Sequence, residues 1–248
     1  DPKGNFATFR LIEDSERKSE KMEVFITADG YNQIEDTKEK VSTDNLLVTK
    51  FGIYNIAKDS VYFVNFSSLS HIQDVPKYFE LYEKSKTTEK KDKLIVVQEP
   101  IYNENGSYAI AEIRSQDNKD RWIVSLNLKK GTFQELDHQH DEAWIGGPGI
   151  PSYSFGRGTL GFLGDNETVY FQSEETGYSH LYTYNLKSKK KTQLTKGNWE
   201  VRNVNLSKDK KSFYLTTTTT HPGNRDFYKL EVANAVLQPI LTKDGAHE

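Results

Sequence analysis

The densest group of side chains able to do chemistry is the run Asp-His-Gln-His-Asp-Glu at residues 137–142. Because alternate residues of a strand point to the same face, His138 and His140 would project together, and paired imidazoles can hold zinc. Two further ligands and an open coordination position would be needed, and the sequence indicates none. We therefore favour a turn with solvated side chains over a metal centre, and we predict no metal and no cofactor.

Nucleophilic catalysis has no recognisable motif in the chain. The pentapeptide Gly-x-Ser-x-Gly, which places a serine on a sharp strand-to-helix turn, is absent, as are a phosphate-binding loop and His-Glu-x-x-His. The nearest glycine-rich stretch, residues 146–152, has the wrong spacing and too much proline to open a helix. With no cysteine, a thiol nucleophile and disulfides are excluded. The sequence thus predicts no complete catalytic site.

Two smaller polar features have structural interpretations. His180 lies in an apolar strand, where a buried histidine with satisfied hydrogen bonds is favoured over a catalytic one. Glu174 and Glu175 precede Gly177 in a predicted hairpin. Paired carboxylates could bind an amine, but we expect both side chains to be exposed to solvent.

The elements that must position these groups are strands. The chain has 248 residues with 14 Tyr, 13 Phe and 3 Trp, and aromatic and β-branched residues favour strands. Its net charge is −3 with Lys and Glu interleaved, so nothing supports electrostatic binding of nucleic acid. No apolar run approaches the roughly 18 residues of a membrane-spanning helix. The composition predicts an all-β chain without a nucleic-acid partner or a membrane span.

A polar turn followed by an apolar strand recurs five times, at intervals of roughly 45 to 60 residues. The strands begin near Phe6, Val61, Tyr108, Val169 and Phe213. The turns are rich in Asp, Asn, Gly and Lys, which tolerate positive φ or cap a tight hairpin. This cadence predicts one domain over residues 1–248, a partial β-propeller of about five blades that forms an open arc of a longer ring. A β-sandwich with evenly spaced turns is the alternative.

Three motifs carry a family resemblance: Gly-Tyr-Ser-His-Leu-Tyr at 177–182, Leu-Thr-Lys-Gly-Asn-Trp-Glu-Val at 194–201 and His-Pro-Gly-Asn-Arg-Asp-Phe-Tyr at 221–228, with Trp-Ile-Gly at 144–146 in the same register. The chain resembles the N-terminal propeller of the dipeptidyl peptidase IV group, within the prolyl oligopeptidase family of serine peptidases. The signature residues, to which we assign structural roles, are Trp144, Gly177, Tyr178, His180, Trp199, Glu200, Gly223, Arg225 and Tyr228.

The resemblance implies a parent protein with two parts. One is an N-terminal propeller of seven or eight blades, of which this chain is an arc, and the other is a C-terminal α/β-hydrolase domain whose Ser-His-Asp triad performs the chemistry. The resemblance also implies that the propeller limits access to short or unstructured peptides. Where relatives place basic and aromatic residues near the substrate, this chain has Gly147, Pro148 and Gly149, which we predict to face the substrate. Dipeptide release, another exopeptidase specificity, an oligopeptidase specificity and an inactive parent all stay open.

The leading hypothesis is a non-catalytic, substrate-gating propeller segment of a serine exopeptidase. Its expected partners are the hydrolase domain of the same parent chain, a peptide substrate and a second copy in a homodimer, and its expected location is periplasmic or extracellular. The alternative is a stand-alone propeller that binds protein or glycan, and a third class is a metal-dependent enzyme at His138 and His140. A Gly-x-Ser-x-Gly motif in the parent reading frame would separate the first two.

Overall fold

Strands make up nearly all of the regular structure. The computed structural model describes residues 1–13, 19–37, 47–81, 90–151, 156–243 and 245. These residues form eighteen strands, β1 to β18, and one short 3-10 helix at Lys77–Leu81. The predicted all-β class is confirmed. Within the same residues, no helix is long and apolar enough to cross a membrane.

The first sheet has three antiparallel strands in the order β1-β4-β5. Its strands are β1 (Phe6–Ile12), β4 (Thr49–Asn55) and β5 (Ser60–Phe63). Between β1 and β4 the chain forms a separate two-stranded sheet of β2 (Lys21–Val24) and β3 (Gln33–Asp36). Seven of the eight residues in this hairpin are exposed, so it projects from the first sheet.

The second sheet is built around two long central strands. The order is β10-β9-β8-β6, and β7 also pairs with β8. The strands are β6 (Ile95–Val97), β7 (Ile101–Tyr102), β8 (Ala109–Ser115), β9 (Asp120–Asn127) and β10 (Thr132–His140). Every residue of β8 is buried, which means that both faces of this sheet are covered.

The third and fourth sheets each contain four antiparallel strands in simple sequence order. The third has β11 (Leu160–Phe162), β12 (Thr168–Ser173), β13 (His180–Asn185) and β14 (Lys190–Gln193). The fourth has β15 (Val201–Leu206), β16 (Ser212–Thr217), β17 (Asp226–Glu231) and β18 (Leu237–Leu241). Successive four-stranded antiparallel sheets are the construction of propeller blades.

Neighbouring sheets are joined by three apolar clusters, each shared by two consecutive sheets. Each cluster contains completely buried side chains from both of its sheets: Ile53 and Trp122 in the first, Ile123 and Phe171 in the second, and Leu181 and Leu215 in the third. Burying an aliphatic or aromatic side chain of this size contributes roughly 1.5–3 kcal/mol. The sheet-to-sheet clusters are therefore what fixes the order of the sheets.

The five repeated turns share a backbone conformation but not a position in the fold. A residue with positive φ occupies each turn: Gly4, Asp59, Gly106, Asn166 and Lys210. The strands that begin near 108, 169 and 213 are β8, β12 and β16, one in each of the second, third and fourth sheets, whereas those near 6 and 61 both belong to the first sheet. The described residues thus form four blade-like sheets from five repeats. The number of repeats exceeds the number of sheets because tight hairpins commonly need a residue with positive φ wherever they lie in a sheet. The residues of the turn therefore indicate a hairpin but not its position in the fold.

Candidate functional site

The stretch predicted to face substrate lies in a tight loop between the second and third sheets. We call residues 146–151 the glycine loop. The amide of Ile150 donates to the carbonyl of Gly147 at 2.9 Å, which closes a turn. Gly147 and Gly149 have φ values of +129° and +75°, and a Cβ at these positions would overlap Glu174 and Gln172, respectively. Both the backbone conformation and the close neighbours require glycine.

The buried side chain of Arg114 holds the glycine loop to the second sheet. Its guanidinium donates to the carbonyl of Pro151, the last residue of the loop, at 2.9 Å and to that of Ile145, which directly precedes the loop, at 2.8 Å. Burial lowers the pKa of Arg114, whereas the neighbouring Glu112 carboxylate raises it. Hydrogen bonds from a charged donor are about twice as strong as neutral ones, so this contact restrains the loop.

A second set of hydrogen bonds ties the glycine loop to the third and fourth sheets. The carbonyl of Pro148 accepts from Ser179 Oγ at 2.8 Å and from Gln172 Nε2 at 3.3 Å. The same Gln172 amide donates to the carbonyl of Val201 on β15 at 2.7 Å, and its oxygen accepts from the Thr159 hydroxyl at 2.6 Å. One buried glutamine thereby connects the loop to two sheets.

A buried ion pair supports the same region. Arg121 donates to the Glu112 carboxylate at 3.0 Å, to the Gln172 carbonyl at 2.8 Å and to the Gln139 side-chain oxygen at 3.1 Å. Glu112 also accepts from the amide of Gly158 at 2.9 Å. The Arg121 and Glu112 side chains are completely buried. Breaking such a pair from one side is strongly destabilising, since it leaves a buried charge without compensation.

The glycine loop borders three cavities. Two of them, of about 420 and 400 Å³, meet at Gly147. Besides Gly147, the first is lined by Pro148, Arg202, Asn203 and Arg225. A third, of about 670 Å³, shares both arginines with the first and reaches Gly149. The substrate-facing role of Gly147, Pro148 and Gly149 stays a prediction.

Glu174 differs from the expectation of full exposure. It is half-buried against Gly147, whereas Glu175 is exposed and pairs with Lys191. Burial raises the pKa of Glu174, and the negative charges of Glu200 and Asp141 raise it further. The expectation was wrong for Glu174 because the glycine loop, far away in sequence, folds against it.

The two histidines considered as zinc ligands share a carboxylate instead. Nε2 of His138 and Nδ1 of His140 lie 2.9 and 2.8 Å from Oδ1 of Asp120, whose other oxygen bonds Lys93. Burial would raise the pKa of Asp120, but the hydrogen bonds from His138, Lys93 and His140 lower it to about 2.

The solvated-turn interpretation of this run was also wrong, because β10 continues through His140 and Asp137 is buried. Trp122 and His71 stack on His138, with ring centroids 5.3 and 4.8 Å away. Among the residues that the structure describes, no group of three or more His, Cys, Asp or Glu side chains could hold a metal ion.

Comparison with known protein families shows which family this chain belongs to. The family described as Dipeptidyl peptidase IV (DPP IV) N-terminal region matches residues 83–248, well over half of the chain. The chain belongs to this family. The resemblance inferred from the three sequence motifs is thereby confirmed.

Two relatives agree with this DPP IV assignment. Dipeptidyl peptidase 4 of Trichophyton rubrum is 32% identical over 157 residues, which are 62% of this chain and 20% of the relative. Dipeptidyl peptidase 4 of Arthroderma otae is 37% identical over 121 residues, 47% of this chain and 15% of the relative. The matched segments are thus a fifth or less of these relatives' own length.

The crystal structure of Porphyromonas gingivalis dipeptidyl peptidase 4 has a similar fold. It matches with a TM-score of 0.65 and 13% sequence identity, covering 98% of this chain and 30% of that one. At this level of identity the likeness concerns the fold alone. Together with the succession of antiparallel sheets, it confirms the predicted partial propeller.

Within this DPP IV N-terminal segment, His180 occupies a closed environment. Its Nδ1 lies 3.1 Å from the Thr195 hydroxyl and its Nε2 3.0 Å from the Gly197 carbonyl. The indole of Trp199 meets the imidazole edge-on, with centroids 5.0 Å apart. Burial lowers the pKa of His180, while the bond to the Gly197 carbonyl and the charge of Glu200 raise it. Both ring nitrogens are used by the fold.

Other signature residues lie at the surface. Trp144 and Tyr178 are 53% and 38% exposed, and Arg225 is half-buried beside the glycine loop. Gly177 has a φ of +91°, and the Tyr228 hydroxyl accepts from Thr219 at 3.0 Å. The structure therefore divides the signature into buried residues and residues that face solvent or a cavity.

Sequence reasoning missed the buried charges that organise the site, namely Asp120, Glu112, Arg114 and Arg121. A signal for them existed. Glu112 and Arg114 lie within β8, and Asp120 and Arg121 begin β9. Most of the other residues of these two strands are apolar, and strands of that kind are buried on both faces. A charge in such a strand has to be paired, because an isolated buried charge is too costly.

Proposed function

We propose that this chain is a non-catalytic, substrate-gating part of the propeller of a serine exopeptidase that cleaves short peptides. Its membership of the DPP IV N-terminal region family supports this, and so do relatives named dipeptidyl peptidase 4. In the proposed enzyme, an α/β-hydrolase domain outside these residues supplies the Ser-His-Asp triad, in which serine attacks the peptide carbonyl and histidine acts as the base.

The observation that carries the proposal is the glycine loop with its cavities. Because Gly147 and Gly149 have no side chains, a peptide backbone can approach the loop closely. The hydrogen bonds from Arg114 and Gln172 restrain the loop. In the proposed enzyme the loop would therefore keep its position and narrow the route of the substrate to the active site. We therefore expect an extended peptide to pass beside the loop and a folded domain to be excluded.

The hydrogen bonds of the histidines favour a non-catalytic role for this chain. Of the five that lie in described residues, none hydrogen-bonds a serine hydroxyl. The nearest arrangement to a nucleophile and base is His180 with Thr195, and both are buried. Because the second nitrogen of His180 bonds a backbone carbonyl, this pair has no place for a substrate.

A substrate-length series in the full-length protein tests the proposal. The three substrates are Gly-Pro-p-nitroanilide, an unstructured peptide beginning Gly-Pro, and a stably folded protein with the same first residues on an ordered strand. We expect cleavage of the first two only, and cleavage of the third once it is unfolded. Residues 1–248 alone should cleave none. Equal cleavage of folded and unfolded substrates, or activity of the isolated chain, would contradict the proposal.

We further propose that two copies of the protein associate through the β2–β3 hairpin. Beside or within its connecting turn, Phe25, Ile26 and Tyr31 expose 67%, 94% and 76% of their surface. Clusters of exposed large apolar side chains mark interaction surfaces. Sedimentation velocity should show a dimer for the wild type and a monomer for Ile26→Asp, and an unchanged dimer would contradict this role.

We propose a periplasmic or extracellular location, in keeping with the peptidases that the sequence resembles. The absence of cysteine is compatible with either compartment. Fractionation of the native host should recover the protein outside the cytoplasm, and recovery with cytoplasmic markers would refute the assignment.

A further inference from the structure

The cavity of about 420 Å³ beside the glycine loop brings together two arginines, Arg202 on β15 and Arg225 in the turn before β17. Arg202 is the extra residue of a β-bulge, since Val201 pairs with Thr217 and Asn203 already pairs with Thr216. A bulge redirects side chains near the end of a strand. Both Arg202 and Asn203 line the cavity.

Arg225 reaches the same cavity from a hydrogen-bonded turn before β17. Its guanidinium donates to the carbonyl of Asn224 at 3.0 Å. The buried carboxylate of Asp226 accepts from the amide and the hydroxyl of Thr220, each at 2.8 Å, which fixes the turn. The turn therefore presents Arg225 in a defined position.

The two arginines differ in how their charges are balanced. Arg202 pairs with Glu200 at 3.2 Å. Across the described part of the chain, no carboxylate forms an ion pair with Arg225, although its side chain is half-buried. A guanidinium has five N–H donors in a planar fork that matches a carboxylate. Donors of Arg225 are thus available to an anionic ligand within the cavity.

We propose that this cavity binds a carboxylate of a peptide ligand, with Arg225 as the main contact and Arg202 and Asn203 beside it. The inference rests on the proposed function for the peptide nature of the ligand, and it adds a charge preference that the gating role does not require. The carboxylate belongs either to the C-terminus of the peptide or to an acidic side chain, and the two present the same chemistry to the guanidinium.

Calorimetric titration of the full 248-residue chain tests the site with three probes. They are Ala-Pro-Gly-Ala with a free C-terminus, its C-terminal amide, and Ala-Pro-Asp-Ala amide, whose only carboxylate is a side chain. We expect one or both carboxylate peptides to bind about tenfold more tightly than the neutral amide, as one charge-assisted hydrogen bond provides. The peptide that gains affinity identifies the source of the carboxylate.

Arg225→Gln should remove the preference for carboxylate, whereas Arg157→Gln should keep it. Arg157 is the matched control, because it is exposed and lines the neighbouring 400 Å³ cavity. Thermal unfolding followed by circular dichroism shows whether each variant is folded. If Arg225→Gln does not fold, salt titration of the wild type replaces it, since added salt should weaken only the carboxylate peptides.

Equal affinity of all three probes for the wild type overturns the inference, and so does the absence of binding. A carboxylate preference that survives in folded Arg225→Gln, or that salt leaves unchanged, also overturns it. The gating proposal is judged separately, by substrate length in the full-length protein. Failure of the carboxylate site is thereby distinguishable from failure of the gating role.

Discussion

Replacing Asp120 by Asn should destabilise the fold strongly at neutral pH. The substitution keeps the size of the side chain but removes the charge shared by His138, His140 and Lys93. Because the Asp120 side chain is completely buried, solvent does not screen these interactions. The partners would lose the carboxylate that holds β9 and β10 to the segment before β6.

The expected magnitude follows from the pKa of Asp120. Its pKa is about 2 in the folded chain, against an ordinary value of 3.8. At about 1.4 kcal/mol per pH unit, this difference corresponds to about 2.5 kcal/mol of folding free energy at pH 7. Because the pKa is lowered by folding, this contribution is present above pH 4 and disappears as the pH falls towards 2. At pH 3 about half of it should remain.

Urea unfolding followed by circular dichroism measures the effect at pH 7 and pH 3. Asp74→Asn serves as the control, since Asp74 also pairs with a histidine but is exposed. We expect a loss of about 2.5 kcal/mol for Asp120→Asn at pH 7 and about half of that at pH 3, with less than about 1 kcal/mol for the control. A loss below about 0.5 kcal/mol at pH 7 would refute the reasoning, as would a loss independent of pH.

Three further substitutions test the glycine loop and the contact between sheets, all by urea unfolding at pH 7. Gly149→Ala should destabilise the fold more than Gly177→Ala. Both residues have positive φ, but only at position 149 would the new Cβ overlap a neighbouring side chain, that of Gln172. Equal effects would contradict this close contact. Arg114→Met should lower the free energy of unfolding by about 3 kcal/mol or more, since the substitution leaves two carbonyls without a donor. An unchanged free energy of unfolding would show that water replaces the guanidinium as the donor. Leu215→Ala should cost about 2–5 kcal/mol, against less than about 1 kcal/mol for exposed Val236→Ala, and similar losses would place Leu215 outside the core.

Local features of the fold were predictable from the sequence. Alternation along β16 places Phe213 and Leu215 in the core and Tyr214 towards solvent, as a strand with one buried face requires. The turn residues were also informative, since even Lys210 adopts positive φ in its hairpin. The family signature could be recognised because it is contiguous in the sequence.

Features that depend on distant contacts could not be predicted in this way. Arg121 bonds a carbonyl 51 residues away, and nothing near it in sequence reveals that partner. The strands near 6 and 61 lie in one sheet because the chain forms β2 and β3 between β1 and β4 and then returns to pair with β1. The turn residues do not indicate this return. Likewise, the burial of Glu174 arises from the glycine loop, which precedes it by more than twenty residues.

The gating role can be measured most directly by blocking the cavity beside the glycine loop. Because this chain has no cysteine, Asn203→Cys would place a single thiol there, in a full-length protein made cysteine-free elsewhere. Lys190→Cys is the control, an exposed position on β14 at the far edge of the third sheet. After coupling to a large polyethylene glycol maleimide, we predict that only the Asn203→Cys protein loses most hydrolysis of Gly-Pro-p-nitroanilide. Full activity of both coupled proteins would contradict a gating role for this chain.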